Sequence, residues 1–233
     1  MVAAKARGAV RSPNIWQRPD VYEVENRAVD PDGSLTDALR GIRDWADANV
    51  LDVGCGTGFH LPSFAATAAR VVGVEPHPAL ATVARRRCTG LRNVEVRVGA
   101  AQDLPLPSHC VDVAHARWAY FFGPGCEPGL RELARVMRRG GVSYVVDNDA
   151  TRSTFGRWFR SAYPSYDAAA VERFWSGRGW SRRRVDMGWR FASREDLEAV
   201  LRIELPPAHA ERALAEHPGL EVDYAVNVWW RAW

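Results

Sequence analysis

The segment of this chain best equipped for chemistry is Val50-Leu51-Asp52-Val53-Gly54-Cys55-Gly56-Thr57-Gly58-Phe59-His60. An apolar run carrying one acid passes into three glycines at alternate positions and then into residues that can open a helix. Glycines there let the backbone turn tightly and approach a ligand with no Cβ in the way, and the helix behind them begins with unpaired N–H groups. Spacing narrows the choice. A dinucleotide fingerprint, G-x-G-x-x-G, needs its third glycine at position 59, where Phe59 stands, and no Gly-Lys-Ser/Thr of a P-loop follows. Further on, Val71-Val72-Gly73-Val74 ends in Glu75, an acid placed to accept from both hydroxyls of a ribose. A third apolar run leads to Gly99-Ala100-Ala101-Gln102. A fourth, Val111-Asp112-Val113-Ala114-His115-Ala116, carries a histidine near its end.

These residues need elements to hold them. Short β-rich runs at Val50–Val53, Val71–Glu75, Val94–Val98, Val111–Ala116 and Val142–Asp147 alternate with helical or loop segments at Phe59–Ala69, Pro78–Arg87 and Leu130–Arg139, the last stopped by Gly140 and Gly141. Near-continuous apolar strands alternating with helices imply a parallel sheet covered on both faces. Ahead of it, Leu35, Leu39, Ile42 and Trp45 repeat at helical spacing from a Ser34 cap to about Ala48. Behind it come a strand at Arg184–Arg190, helices at Ser193–Leu201 and Ala208–Glu216, and a last strand at Glu221–Trp229, in which Val222, Tyr224, Val226 and Val228 alternate with polar residues.

Taken in order, the glycine turn, Glu75, the Ala101-Gln102 segment and the fourth strand resemble the class I S-adenosylmethionine-dependent methyltransferases, in their small-molecule (UbiE-like) branch. The resemblance covers Val50 to Val146. It implies an α/β, Rossmann-like, doubly wound sheet, mostly parallel with an antiparallel C-terminal strand, and S-adenosylmethionine as cofactor. It also implies roles. Asp52 with Gly54, Gly56 and Gly58 holds the methionine portion, Glu75 the ribose, Pro76 with His77 flanks the adenine, and Ala101 and Gln102 line its edge. Ala100 departs from the pattern, standing where relatives often carry an acid. His115 lies where the family places the transferred methyl; it is either a base toward the acceptor or a packed strand residue lending its backbone.

On this reading the chain is a single methyltransferase domain. A disordered tail (1–11) precedes an N-terminal cap and helix (12–48), the cofactor-binding core (49–150), an aromatic lid insertion (151–182) and strands and helices that complete the sheet (183–233). The family roofs its site with the segments that here carry Trp16, Tyr22, Trp118, Tyr120, Phe121, Phe122, Trp158 and Trp175. An aromatic roof suits an apolar or planar acceptor; the alternative is that the 153–180 rings are core or a dimer contact.

Absences shape the rest. No Asn/Asp-Pro-Pro-aromatic run follows the fourth strand, against transfer to base amines, and no Pro-Cys pair, against pyrimidine C5 chemistry. Asp147-Asn148 resembles two metal ligands of catechol-type methyltransferases, but Arg117 occupies the third place and repels a cation, so no metal is expected. Cys55, Cys88, Cys110 and Cys126 form no C-x-x-C pair and fit a reducing cytoplasm. Net charge is only +3 and Lys5 is the only lysine, too weak a basic signal for a nucleic-acid partner. No apolar run is long enough to span a membrane, and Met1–Arg11 lacks the apolar stretch of a signal peptide. The leading expectation is methyl transfer to a small molecule. The competitors are a macromolecular acceptor docked by Arg152, Arg157, Arg160 and Arg178, and a non-catalytic binder of the cofactor.

Overall fold

The valine-rich runs become five parallel strands: β1 (Asn49–Val53), β2 (Arg70–Glu75), β3 (Val94–Val98), β4 (Val111–Arg117) and β5 (Met137–Asn148). With β6 (Ser181–Arg190) and β7 (Glu221–Ala232) they make one seven-stranded sheet of order β3-β2-β1-β4-β5-β7-β6. β7 runs antiparallel to both its neighbours, β5 and β6. The structure is a computed structural model and describes residues 12–120 and 123–233; the tail expected at 1–11, and Phe121 and Phe122, lie outside them.

Strand side chains alternate between two apolar clusters, as period-2 geometry requires. Val50 and Val113 face one cluster with Leu35, Phe64 and Leu197, while Leu51, Val53 and Ala114 face the other with Leu133 and Trp229. The helices that cover these faces are α1 (Pro13–Gln17), α2 (Pro19–Ala28), α3 (Ser34–Ile42), α4 (Leu61–Ala65), α5 (Pro78–Arg87), α6 (Glu127–Val136), α7 (Thr154–Ala162), α8 (Ala168–Ser176), α9 (Arg194–Glu204) and α10 (Pro207–Glu216). Among the described residues no helix is long and apolar enough to cross a membrane.

Several boundaries differ from the sequence expectation. Helix α3 ends at Ile42 instead of Ala48, and Ser34 is its first residue instead of its cap. The free N–H groups of Leu35 and Thr36 donate to the Asp30 carboxylate, which does the capping from outside the helix. Of the helical or loop segment expected over Phe59–Ala69, only α4 is helix. The helix expected at Leu130–Arg139 lies earlier, as α6, and Gly140 and Gly141 stop nothing: they sit inside β5, where the pairing with β4 slips between Val111↔Met137 and Val113↔Val142.

The aromatic segment between β5 and β6 is a correction of a different kind. Phe155, Trp158 and Phe159 of α7 belong to one core cluster, and Val171, Phe174 and Trp175 of α8 to the other. The chain crosses from one face of the sheet to the other, and Tyr166, at the crossing, packs against both. Trp175 is 0% exposed and stacks on Trp229, ring centroids 6.0 Å apart. Trp158 is 5% exposed and meets His217 edge-on. Both helices are thus packed into the cores, because a sheet apolar on both faces needs its last strands covered on both.

Candidate active site

β1 and β4 are adjacent in the sheet, and there the strand order turns back: β1 leads outward to β2 and β3, β4 the other way to β5. The crevice beyond the carboxyl ends of such a strand pair is where open α/β sheets bind ligands. A cavity of about 420 Å³ lies at this point. Asp52, Gly54, Gly56, Glu75, Pro76, Ala101, Gln102 and His115 all line it, as do Trp16, Tyr22, Trp118 and Tyr120. Trp158 and Trp175, expected to line an acceptor site, line no part of it; they are buried as described above.

Gly58 also falls outside the cavity wall. It holds the turn, with φ +78° and its N–H donating to the Cys55 carbonyl at 2.8 Å, and any Cβ would come within 2.9 Å of the Ala84 Cβ. Its role is to let α5 pack close behind the turn. Gly56, with φ +57°, faces the cavity under Ile15 of α1. The N-terminal helices are clamped to this turn: Arg87 Nη2 lies 2.6 Å from Glu23 Oε2 on α2, and Arg87 Nη1 donates to the Thr57 carbonyl at 3.1 Å.

Two polar pairs shape the floor. Glu75, 3% exposed, accepts from the Gly56 N–H at 2.9 Å and the His77 N–H at 2.8 Å. Burial pushes its carboxyl up to about 7, against the pull of those two amides. Asp52 and His115 face each other across β1 and β4 in register, with His115 Nδ1 2.8 Å from Asp52 Oδ1. They lie on the face that Val50 and Val113 fill with apolar side chains, so two buried polar groups satisfy each other. His60 sits near by, 6.0 Å from His115 between ring centroids, and burial together with Arg117 holds its ring below the usual imidazole range.

After β4 the backbone takes an uncommon turn. Trp118 has φ +50°, a left-handed conformation that a bulky residue adopts only when its surroundings impose it. Here its N–H donates to the Val146 carbonyl at 2.9 Å and its Nε1–H to Asn148 Oδ1 at 2.7 Å. Asn148 Oδ1 also accepts from the Tyr224 hydroxyl. The side chain next to Asp147 is therefore a post for two aromatic rings.

Trp118 is a wall shared with a second cavity, of about 400 Å³, which also shares Ser12 and Tyr22 with the first. Glu25, Glu204, Tyr163, Tyr166 and Tyr224 complete much of its lining. Glu25 and Glu204 were not singled out from the sequence, although a signal existed. Glu25 continues the buried stripe Val21–Glu25–Ala28 of α2, and Glu204 extends the buried stripe Leu197–Val200–Leu201 of α9. A charged residue on an apolar helical stripe marks a buried polar site.

Residues 51–145 match the family model described as a methyltransferase domain. The uncharacterized methyltransferase YcgJ of Bacillus subtilis (strain 168) is 30% identical over 107 residues, 45% of this chain and 42% of that protein. Demethylmenaquinone methyltransferase of Tropheryma whipplei (strain Twist) is 30% identical over 115 residues, 49% of this chain and 48% of that protein. The chain thus spans about half the length of these curated relatives. The solved structure of YcgJ superposes with a TM-score of 0.61 at 18% identity, covering 85% of this chain and 97% of that one. A SAM-dependent methyltransferase from Aquifex aeolicus gives 0.59 at 17% identity, covering 94% and 99%. The methyltransferase-domain match thus runs from β1 into β5, on a fold that the solved structures share along nearly the whole chain.

Proposed function

We propose that this chain binds S-adenosylmethionine in the first cavity and transfers its methyl group to a small molecule held in the second. The observation that carries this reading is the second cavity itself. It has the volume of a small-molecule site, aromatic walls, and a partition shared with the first cavity through Tyr22 and Trp118.

The first cavity fits the cofactor. Glu75 uses one lone pair of each oxygen on a backbone amide, which leaves others for ribose hydroxyls. The Asp52–His115 pair and the turn at Gly54 and Gly56 suit the amino-acid end, with Pro76, Ala101 and Gln102 beside the base. When bound, the cofactor supplies an electrophilic methyl group on a sulfonium. The protein's part is to hold donor and acceptor in line and keep water out. His115 lines the first cavity and not the second, so we assign it to orienting Asp52 in preference to acting as a base on the acceptor.

A macromolecular acceptor finds less support. The arginines suited to docking one are engaged: Arg152 with Asp186 at 2.8 Å, Arg157 with Glu216 at 2.9 Å, Arg178 with Glu127 at 3.0 Å, and Arg160 on the Ala150 carbonyl. The Tropheryma relative, by its name, also methylates a small molecule. The test is transfer of labelled methyl from S-adenosylmethionine into small-molecule, RNA and protein fractions of a cell extract. Label is expected in the small-molecule fraction alone; label confined to RNA or protein overturns the reading.

A further inference from the structure

The lining of the second cavity is one-sided in charge. Glu25, Asp147 and Glu204 reach it, and among the described residues no lysine, arginine or histidine does. Glu25 is 5% exposed, and its Oε2 has no hydrogen-bond partner among the described residues. A buried carboxylate left in that state is expensive unless something restores its partners. Glu204, half-buried on α9, accepts from the Asn14 side-chain amide through one of its two oxygens.

The charged and titratable groups facing this pair are few. Arg117 has its guanidinium 4.3 Å from the Trp118 ring centroid and lines the first cavity only, yet it is close enough to pull the Glu25 carboxyl down against its burial. The Tyr22 and Tyr224 hydroxyls lie near Glu25, both held neutral above the usual phenol range by burial, and Asp147, Tyr163 and Tyr166 also line the cavity. Burial pushes the Glu204 carboxyl up to about 7, and burial together with Glu204 drives that of Glu25 well above the ordinary range. The cavity therefore holds an acid pair whose one positive neighbour, Arg117, lines the other cavity.

We propose, resting on the methyltransferase reading above, that the acceptor is a small amine that enters the second cavity as an ammonium ion, with Glu25 and Glu204 as its counter-ions and the Trp118 and Tyr224 rings beside it. Ammonium N–H groups supply the donors that Glu25 Oε2 lacks, and the electron-rich ring faces favour a desolvated cation. An anionic acceptor is repelled by the same carboxylates.

The chemistry balances. The ammonium gives one proton to a carboxylate of the pair, whose raised proton affinity suits it to accept, and the nitrogen lone pair is freed. That pair forms the new C–N bond while the donor's S–C bond breaks, leaving its electrons on sulfur. The positive charge passes from sulfur to nitrogen, and the proton held on the carboxyl leaves to solvent.

The test is calorimetric titration of phenethylamine and of its neutral isostere 2-phenylethanol at pH 8, into the free protein and into protein saturated with S-adenosylhomocysteine. The amine is expected to bind at least tenfold more tightly than the alcohol. The preference is expected to fall below twofold in the Glu25→Gln, Glu204→Gln double variant, and partway in each single variant, with melting curves verifying that each is folded. Equal binding of amine and alcohol to the wild type, or a preference that survives the double substitution, overturns the proposal; the first comparison needs no variant. Failure of S-adenosylhomocysteine to bind overturns the methyltransferase reading instead, and the amine titration of the free protein is read independently of it. In the same preparation, labelled methyl is expected on phenethylamine and not on phenol or hydroquinone.

Discussion

His115 Nδ1 stands 2.8 Å from Asp52 Oδ1, joining the ends of the two strands at which the sheet order reverses. A carboxylate only accepts, so the ring proton sits on Nδ1 and the imidazole holds the acid in place. His115→Ala leaves Asp52, 3% exposed, without its donor. The expected loss is about 1–3 kcal/mol, or roughly 2–10 °C in Tm, together with weaker S-adenosylmethionine binding. His115→Asn, which can present a donor, is expected to recover part of both. Normal stability and affinity with a lost rate would instead make His115 a base.

Glu75 predicts a pH-dependent affinity. Its carboxyl rests at about 7, and in the proposed cofactor placement the ribose hydroxyls would donate to the ionised form. Binding should therefore tighten as pH rises through 7, by roughly tenfold between pH 6 and pH 8, and release a proton at the lower end. Calorimetry in buffers of different ionisation enthalpy measures both. Glu75→Gln should flatten the profile and weaken binding at pH 8 by about tenfold; a wild-type profile that is already flat removes Glu75 from the ribose.

Trp175 distinguishes packing from gating. Stacked on Trp229 and 0% exposed, it is expected to behave as core. Trp175→Ala should cost about 3–5 kcal/mol in urea unfolding. Amide exchange across α8 should be slow with or without ligand. Fast exchange that slows only on ligand binding, with little stability lost in the variant, would restore the lid.

Glu204 makes stability fall as pH rises. Its folded carboxyl sits at about 7 against an ordinary value of 4.5, so the native state holds the proton more tightly than the unfolded chain. That contribution is complete below about pH 4.5 and is lost on passing through 7. Glu95 acts in the opposite sense, and in a separate window, because Arg97 and Arg70 hold it at about 2. Glu204→Gln keeps an acceptor for Asn14 and removes the charge. It should match the wild type in urea unfolding at pH 4.5 and exceed it at pH 8 by on the order of 2 kcal/mol. No gain at pH 8 would mean that the carboxylate is already well solvated.

Local features of the sequence were enough to read the cofactor half of this protein. The run Val50–His60, the acid at Glu75 and the order of apolar strands are contiguous, and each acts through backbone geometry or a neighbour a few residues away. Strand alternation alone sufficed for a covered parallel sheet. Gly58 shows where local reading stops: its spacing marked the turn, but only the approach of Ala84 reveals that it serves packing and not the ligand. The second cavity was decided by tertiary structure. Glu25 and Glu204 come from α2 and α9, 179 positions apart in the chain, and meet only because both helices bury their apolar stripes side by side against the sheet. Trp158 and Trp175 read as a roof because aromatic residues at helical spacing look alike whether they face a ligand or a core. Which they face depends on how many strands remain to be covered, and that is settled only when β6 and β7 close the far edge of the sheet.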